Sequence, residues 1–263
     1  MSGPCRLNGR GVLVTRPAAQ AEALCRLVAE LDGEPILFPT VEILPTLEAE
    51  AARAQLRQPW DLMVFVSRNA VEHALALLGD TGVGGVEPLA RTPLAAVGKA
   101  TAAAIRAAGL PSPLVPATGF DSEALLQLPE LTAVAGRRVL IVRGDGGRPL
   151  LRDTLLQRGA EAAFAEVYRR VPPQVDVGAL LPDWESTLGY VTATSDEVLA
   201  NLMGLLPPAA HPWMFGLPLA VLSERNAQTA LGMGFRTVAV ASEASDPGLC
   251  DALCRLHLAR MRP

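Results

Sequence analysis

Short, mostly apolar runs alternate along the chain with longer stretches whose apolar residues recur at helical spacing. Gly11–Thr15, Ile36–Phe38, Leu62–Val66, Leu94–Val97, Val139–Val142, Tyr190–Thr192, Leu219–Leu222 and Val238–Ala241 have the length and composition of buried parallel strands. Between them, Ala18–Leu31 places Ala21, Leu24, Leu27, Val28 and Leu31 on one helical face, and Ala70–Leu78, Thr101–Ala108 and Leu150–Arg158 are helical too. Gly33, Gly109 and Gly159 close three of these helices. A further helix begins at Ser122, the expected N-cap, with Asp121 just before it. Strands and helices in strict alternation predict an α/β fold with parallel sheets and flanking helices.

The chain also repeats itself. GVLVTRP at 11–17 answers to RVLIVRG at 138–144, VFVSRNAVEHALALL at 64–78 to TATSDEVLANLMGLL at 192–206, and PLAAVGKATAAAIRAAGL at 93–110 to PLAVLSERNAQTALGMGF at 218–235. FDSEALLQL at 120–128 resembles ASDPGLCDAL at 244–253. The offset drifts only from 127 (Arg16 to Arg143) to 125 (Leu94 to Leu219). A period so far above the ~20–50 residues of solenoid repeats means duplicated domains, here two similar ones. Two stretches break the rhythm at equivalent points of the repeats, FPTVEILP at 38–45 and EVYRRVPP at 166–173. Both are β-prone and bracketed by proline, and read as a two-stranded interdomain linker. The chain is then expected to cross twice. Residues 1–38 and 174–263 form one discontinuous α/β domain, 39–45 and 166–173 the linkers, and 46–165 the other domain. A contiguous split near residue 130 is the alternative. Facing domains make a cleft, a favoured ligand site.

Composition narrows the function classes. Half of the 263 residues are hydrophobic and 19% are charged, which suits a well-cored globular protein. Net charge is −4 and aromatics are 4%, with no basic run, so no nucleic-acid partner is expected. No apolar run reaches the ~18 residues of a spanning helix, and MSGPCRLNGRG lacks the apolar stretch of a secretory signal; no membrane partner is expected, and the cytoplasm is the expected location. Arginine outnumbers lysine 22 to one, leaving Lys99 as the sole Schiff-base candidate. Cys250 and Cys254 sit one helical turn apart and read as small buried hydrophobes in a reducing compartment; Cys5, Cys25 and the scattered His73, His211 and His257 show no metal-ligand spacing.

Chemistry in parallel α/β folds gathers at the carboxyl ends of strands. There the chain places Thr15-Arg16, Ser67-Arg68-Asn69, Gly98-Lys99-Ala100-Thr101, Arg143 to Arg148 with Gly144, Gly146 and Gly147, Thr194-Ser195-Asp196 and Ser223-Glu224-Arg225. Each leads into a helix N-terminus, where free N–H groups and the dipole favour anions. Helix capping alone accounts for any one of them; six together point to a ligand with several carboxylates or phosphates. The glycine loop lacks the spacing of a P-loop or of GxGxxG, so a nucleotide is not expected. Tyr168, on a predicted connector, is the one residue there able to transfer a proton; packing is its other reading.

Taken in order, VLVTRP, the SxNAV helix start, AVGKAT, FDSExLL, VLIVRGDGGRxLLRDTLLQRGA with YRR, TSDExLxNL and the final ASDxxL resemble the bacterial uroporphyrinogen-III synthase family over residues 11–255. The resemblance implies two flavodoxin-like domains on a two-stranded linker. It implies cyclisation of hydroxymethylbilane to uroporphyrinogen III with loss of water and inversion of the terminal ring, without metal or organic cofactor. It implies a linear tetrapyrrole substrate bearing eight carboxylates, with transfer from hydroxymethylbilane synthase, and a monomeric enzyme. Tyr168 maps onto the linker tyrosine as the acid assisting loss of hydroxide, and Thr101, Ser67, Arg143–Arg148, Ser195 and Ser223 fall at the cleft. Val66 stands where the family often has Thr, so no hydroxyl contact carries over there. The competing class is a non-catalytic two-domain binder of an anionic metabolite.

Overall fold

The computed structural model describes residues 5–79, 85–119 and 121–261, which leaves Phe120 outside the described residues. Among the described residues ten strands run in chain order: β1 (Gly11–Val14), β2 (Glu34–Leu37), β3 (Glu42–Pro45), β4 (Leu62–Phe65), β5 (Leu94–Ala96), β6 (Arg138–Gly144), β7 (Glu161–Val171), β8 (Leu188–Ala193), β9 (Leu219–Val221) and β10 (Val238–Val240). The chain divides into two compact units, Met1–Glu42 with Val171–Pro263, and Ile43–Arg170. No helix among the described residues is long and apolar enough to cross a membrane.

In the first unit the sheet order is β10-β9-β8-β1-β2, and every pairing is parallel. Counted along that unit, the order is the 2-1-3-4-5 of flavodoxin-like folds. β1 and β8 are buried along their whole length, as a central parallel strand covered on both faces must be. Helix Glu22–Glu30 turns Leu24 and Val28 into a core that holds Val12, Val14 and Tyr190 with Leu249, Leu253 and Leu256 of helix Asp246–Arg260. Each fully buried leucine there is worth about 1.5–3 kcal/mol. Cys254 on that last helix is disulfide-bonded to Cys5 ahead of β1, 249 residues away, so its reading as a plain buried thiol is corrected. Cys25 and Cys250 are free, and burial pushes the Cys250 thiol up to about 11.

In the second unit the order is β3-β7-β6-β4-β5, with β7, β6, β4 and β5 parallel and an extended bridge from Ala95 to Leu114 continuing the set. The duplication now acquires a spatial meaning. β6, β7, β4 and β5 are the sequence counterparts of β1, β2, β8 and β9, and the two sheets repeat the same order, β2-β1-β8-β9 and β7-β6-β4-β5. Each unit therefore takes two neighbouring strands from one repeat, β1 and β2 or β6 and β7, and the rest from the other.

Local differences have local causes. The stretch expected as the second connector begins inside β7, whose far end stays hydrogen-bonded to the sheet through Tyr168. Asp121, not Ser122, caps the helix Ser122–Leu125, its carboxylate accepting from Ala124 N at 2.7 Å. Ala18–Gln20 is a 3₁₀ turn, after Pro17, and the α-helix starts at Glu22. Helix Ala49–Arg57, buried through Ala52 and Leu56, and helix Leu181–Thr187, buried through Trp184, have too few large apolar side chains to stand out in the sequence.

Candidate functional site

The carboxyl ends of each sheet gather the residues singled out from the sequence, and each unit forms its own constellation. In the second unit β6 and β4 lie side by side at the switch of strand order, which brings the 144–149 loop to the Ser67 turn. Ser67 Oγ accepts from Ala70 N at 3.1 Å, capping helix Arg68–Gly79, and lies 3.1 Å from the Tyr168 hydroxyl. Arg170 donates to the same phenol oxygen at 3.4 Å. Tyr168 itself is buried, its ring 5.5 Å from that of His73. The phenol points into the second unit, bonded to Ser67 and Arg170. Burial lowers the His73 pKa below its ordinary value, so that ring is neutral at pH 7.

Arg143 and Arg148 part ways. Arg143 is buried, lies over the Phe164 ring at 4.6 Å, and donates to the carbonyls of Gly144 at 3.0 Å and Arg148 at 3.2 Å. Its guanidinium shapes the loop from inside, and burial pulls its pKa below the ordinary value. Gly146 and Gly147 sit exposed at φ +63° and +81°, and a Cβ on Gly147 would meet the Arg143 guanidinium at 2.5 Å. Arg148 is exposed and forks onto Glu123 at 2.6 and 3.3 Å, holding that carboxyl below the usual range. Gly98 begins helix Lys99–Ala107 with no side-chain cap, which leaves its first N–H groups without one; Lys99 is exposed and Thr101 buried. Asn69 is half-buried in the first turn after Ser67.

In the first unit Thr15 is inside the structure and not at its rim. Its hydroxyl donates to Thr192 O at 2.6 Å, while Thr192 donates to Leu13 O at 3.0 Å and Thr40 donates to Thr15 O at 3.3 Å. Ser195 caps helix Asp196–Leu205 and Ser223 caps helix Glu224–Met233. Asp196 joins the two helix starts, accepting from Asn226 Nδ2 at 2.6 Å and pairing with Arg225 at 3.2 Å. A cavity of about 250 Å³ opens at the strand ends, lined by Arg16, Thr194, Leu222, Ser245 and Asp246 among others. Arg16 pairs with Asp246 at 2.6 Å, and its buried Nε has no hydrogen-bond partner. The sequence pointed to Arg16, Thr194 and Ser195 but missed Asp246, Glu123 and Arg170. Each is an ordinary charged residue whose partner only the fold supplies. Among the described residues no group of three or more His, Cys, Asp or Glu could hold a metal ion.

A model of uroporphyrinogen-III synthase HemD matches residues 22–251. The chain belongs to the uroporphyrinogen-III synthase family. The uroporphyrinogen-III synthase of Escherichia coli is 35% identical over 247 residues, covering 92% of this chain and 99% of that protein. That of Salmonella typhimurium is 37% identical over 263 residues, with the same coverage. A mutant uroporphyrinogen III synthase from the extremely thermophilic bacterium Thermus thermophilus superposes with a TM-score of 0.63 at 20% identity, over 96% of this chain and 99% of that one. The Helicobacter pylori enzyme gives 0.59 at 15% identity, over 94% and 99%. These two speak for the fold. Membership of the uroporphyrinogen-III synthase family makes the chain a lyase.

Proposed function

We propose that the chain closes linear hydroxymethylbilane into uroporphyrinogen III, with loss of water and inversion of the terminal pyrrole ring, as a step in tetrapyrrole biosynthesis feeding haem, sirohaem or cobalamin. The observation that carries the chemical reading is the group Ser67, Tyr168 and Arg170 at the carboxyl end of the second sheet, two hydroxyls 3.1 Å apart with a guanidinium 3.4 Å from the phenol oxygen. A phenol hydroxyl is a proton donor that can assist a departing hydroxide. The Tyr168–Ser67 pair passes a proton to the departing hydroxide, and Arg170 stabilises the negative charge left on the phenol oxygen. The hydroxymethyl group of an electron-rich pyrrole ionises readily, so this assistance is modest. The larger demand is orientation, because the terminal ring must be attacked at its substituted carbon before reclosure.

Helix N-termini and arginines at the strand ends offer donors for carboxylates in each unit: Arg16, Thr194, Ser195, Ser223 and Arg225 in the first, and Asn69, Gly98, Lys99, Thr101 and the Gly144–Arg148 loop in the second. Many donors share the load, which suits a ligand with eight charges. The enzyme works as a cytoplasmic monomer without a cofactor and takes its substrate from hydroxymethylbilane synthase. The Cys5–Cys254 bond joins the segment ahead of β1 to the last helix, about two helical turns beyond Asp246. Its reduction in a reducing cytoplasm removes none of the groups this chemistry uses.

The test is an assay in which hydroxymethylbilane is generated in place and the product isomers are separated. The inverted isomer is expected with the wild-type chain, and Tyr168→Phe is expected to slow turnover about tenfold to a hundredfold, the low end for general acid assistance, while keeping the inverted product. Only the spontaneous, non-inverted isomer from wild-type protein would reduce the chain to a binder of anions. Full activity in the Phe variant would move the proton donor elsewhere.

A further inference from the structure

β7 does not run straight to Tyr168. From Glu161 to Glu166 it keeps even register with β6, Arg143 facing Glu166, but the next pair is Gly144 with Tyr168, so Val167 is one residue too many. That is a β-bulge, a device that re-aims a side chain. Burial shows what it does here. Ala165 and Val167 face the core in ordinary alternation, which would send Tyr168 to the opposite face. Instead Tyr168 is buried beside Val167 in the same core cluster. The extra residue turns the phenol inward, toward Ser67.

Two neighbours on the 144–149 loop hold this arrangement. Asp145 N donates to Tyr168 O at 2.9 Å, and Asp145 Oδ1 accepts from Arg170 N at 3.0 Å, so one residue clamps the strand on both sides of Arg169. Gly144 lies under the ring: a Cβ there would sit 2.5 Å from Tyr168 Cε2 and 2.6 Å from Cζ. What glycine supplies at 144 is room. We infer that Asp145 and Gly144 are positioning residues for Tyr168, the bulge clamped by Asp145 and cleared by Gly144 delivering the phenol to Ser67. The functional weight of this rests on the proton-transfer role proposed above, whereas the placement does not. Neither residue is hydrogen-bonded to the phenol oxygen, and both act through where the ring is held.

The chain has two tyrosines, Tyr168 and Tyr190, so protein labelled with ¹³C at tyrosine Cζ gives two signals, which Tyr168→Phe assigns. Asp145→Ala and Gly144→Ala are each expected to move the Tyr168 signal and leave that of Tyr190 in place; Asp145→Asn, which keeps an oxygen acceptor, is expected to restore it. In turnover, Asp145→Ala is expected to lower kcat about tenfold with KM changed less than about twofold, Asp145→Asn to recover most of the loss, and Asp145→Ala to add nothing in a Tyr168→Phe background. An unmoved Tyr168 signal in Asp145→Ala, or a full tenfold loss added to Tyr168→Phe, would overturn the inference. If the signals move as expected while Tyr168→Phe keeps full turnover, the positioning stands and the acid role of Tyr168 falls. Should Gly144→Ala fail to fold, the Asp145 pair of variants decides.

Discussion

Arg143 lies over the Phe164 ring and bonds two carbonyls of its own loop, while Arg148, five residues on, reaches out to Glu123. Removing each should read out differently. Arg143→Ala leaves two carbonyls and an aromatic ring without their partner, and is expected to cost about 2–4 kcal/mol in denaturant unfolding. Lysine should not rescue it, because a point charge cannot reproduce the planar fork. Arg148→Ala is expected to change stability by less than about 1 kcal/mol, an exposed pair's worth, and to raise KM. The Glu123 carboxyl is depressed in the folded chain. The pair's small contribution is therefore present above the ordinary carboxylate pKa and lost as pH falls below it. At this scale the sequence placed these residues at strand ends but did not give each residue's task. A Ser or Thr before a helix looks the same whether it caps, as Ser195 and Ser223 do, or meets a ligand. Nothing local told Thr15, hydrogen-bonded inside the sheet, from Thr194 at the cavity.

The helices that follow β8 and β9 begin at one shared knot. Ser223 donates to Asn226 Oδ1 at 2.8 Å, Asn226 donates to Asp196 Oδ1, and Asp196 also holds Arg225. Ser195→Ala and Ser223→Ala should each cost about 1 kcal/mol as lost caps. Asp196→Ala and Asn226→Ala should be non-additive by about 0.5–3 kcal/mol, since they break one hydrogen bond between them; additive losses in a thermal or denaturant cycle would mean the helix starts are independent. Elements were legible where burial was two-sided and periodicity strong, as in β1, β6 and helix Glu22–Glu30. Helix Ala49–Arg57 was not, because Leu56 is its single large apolar side chain and its other apolar residues are alanines spread around the helix. Asp121 displaced Ser122 as a cap by one residue, a shift that local composition does not resolve.

Across the molecule, the duplication seen in the sequence does not coincide with the units seen in space. β1 keeps β2 within the first repeat but finds β8 in the second; β4 keeps β5 but finds β6 in the second. The repeat was visible because its motifs are long, and the two proline-bracketed stretches suggested where the chain crosses. How far β7 carries the sheet past Glu166 was hidden, because a bulged strand end and a linker share the same composition. A fragment spanning 43–170 holds every strand pairing of its sheet apart from the start of β3, and should unfold cooperatively by itself; a fragment 1–130 separates β1 from β8 and β4 from β6, and should not. Circular dichroism with denaturant titration of both would show it, and cooperative unfolding of 1–130 alone would count against the crossed arrangement.

The crossing also sets a timetable. On a ribosome the second unit is complete once β7 has emerged, whereas β1 waits for β8, its neighbour in the sheet, 177 residues downstream as counted from Thr15 to Thr192. At ~5–20 residues per second that is a delay of about 10–35 s during which β1 and β2 exist as a two-stranded fragment with no central partner. The earliest-made strands of this chain are thus among the last to be buried, and the nascent N-terminal segment is where a chaperone would find the longest-lived exposed surface.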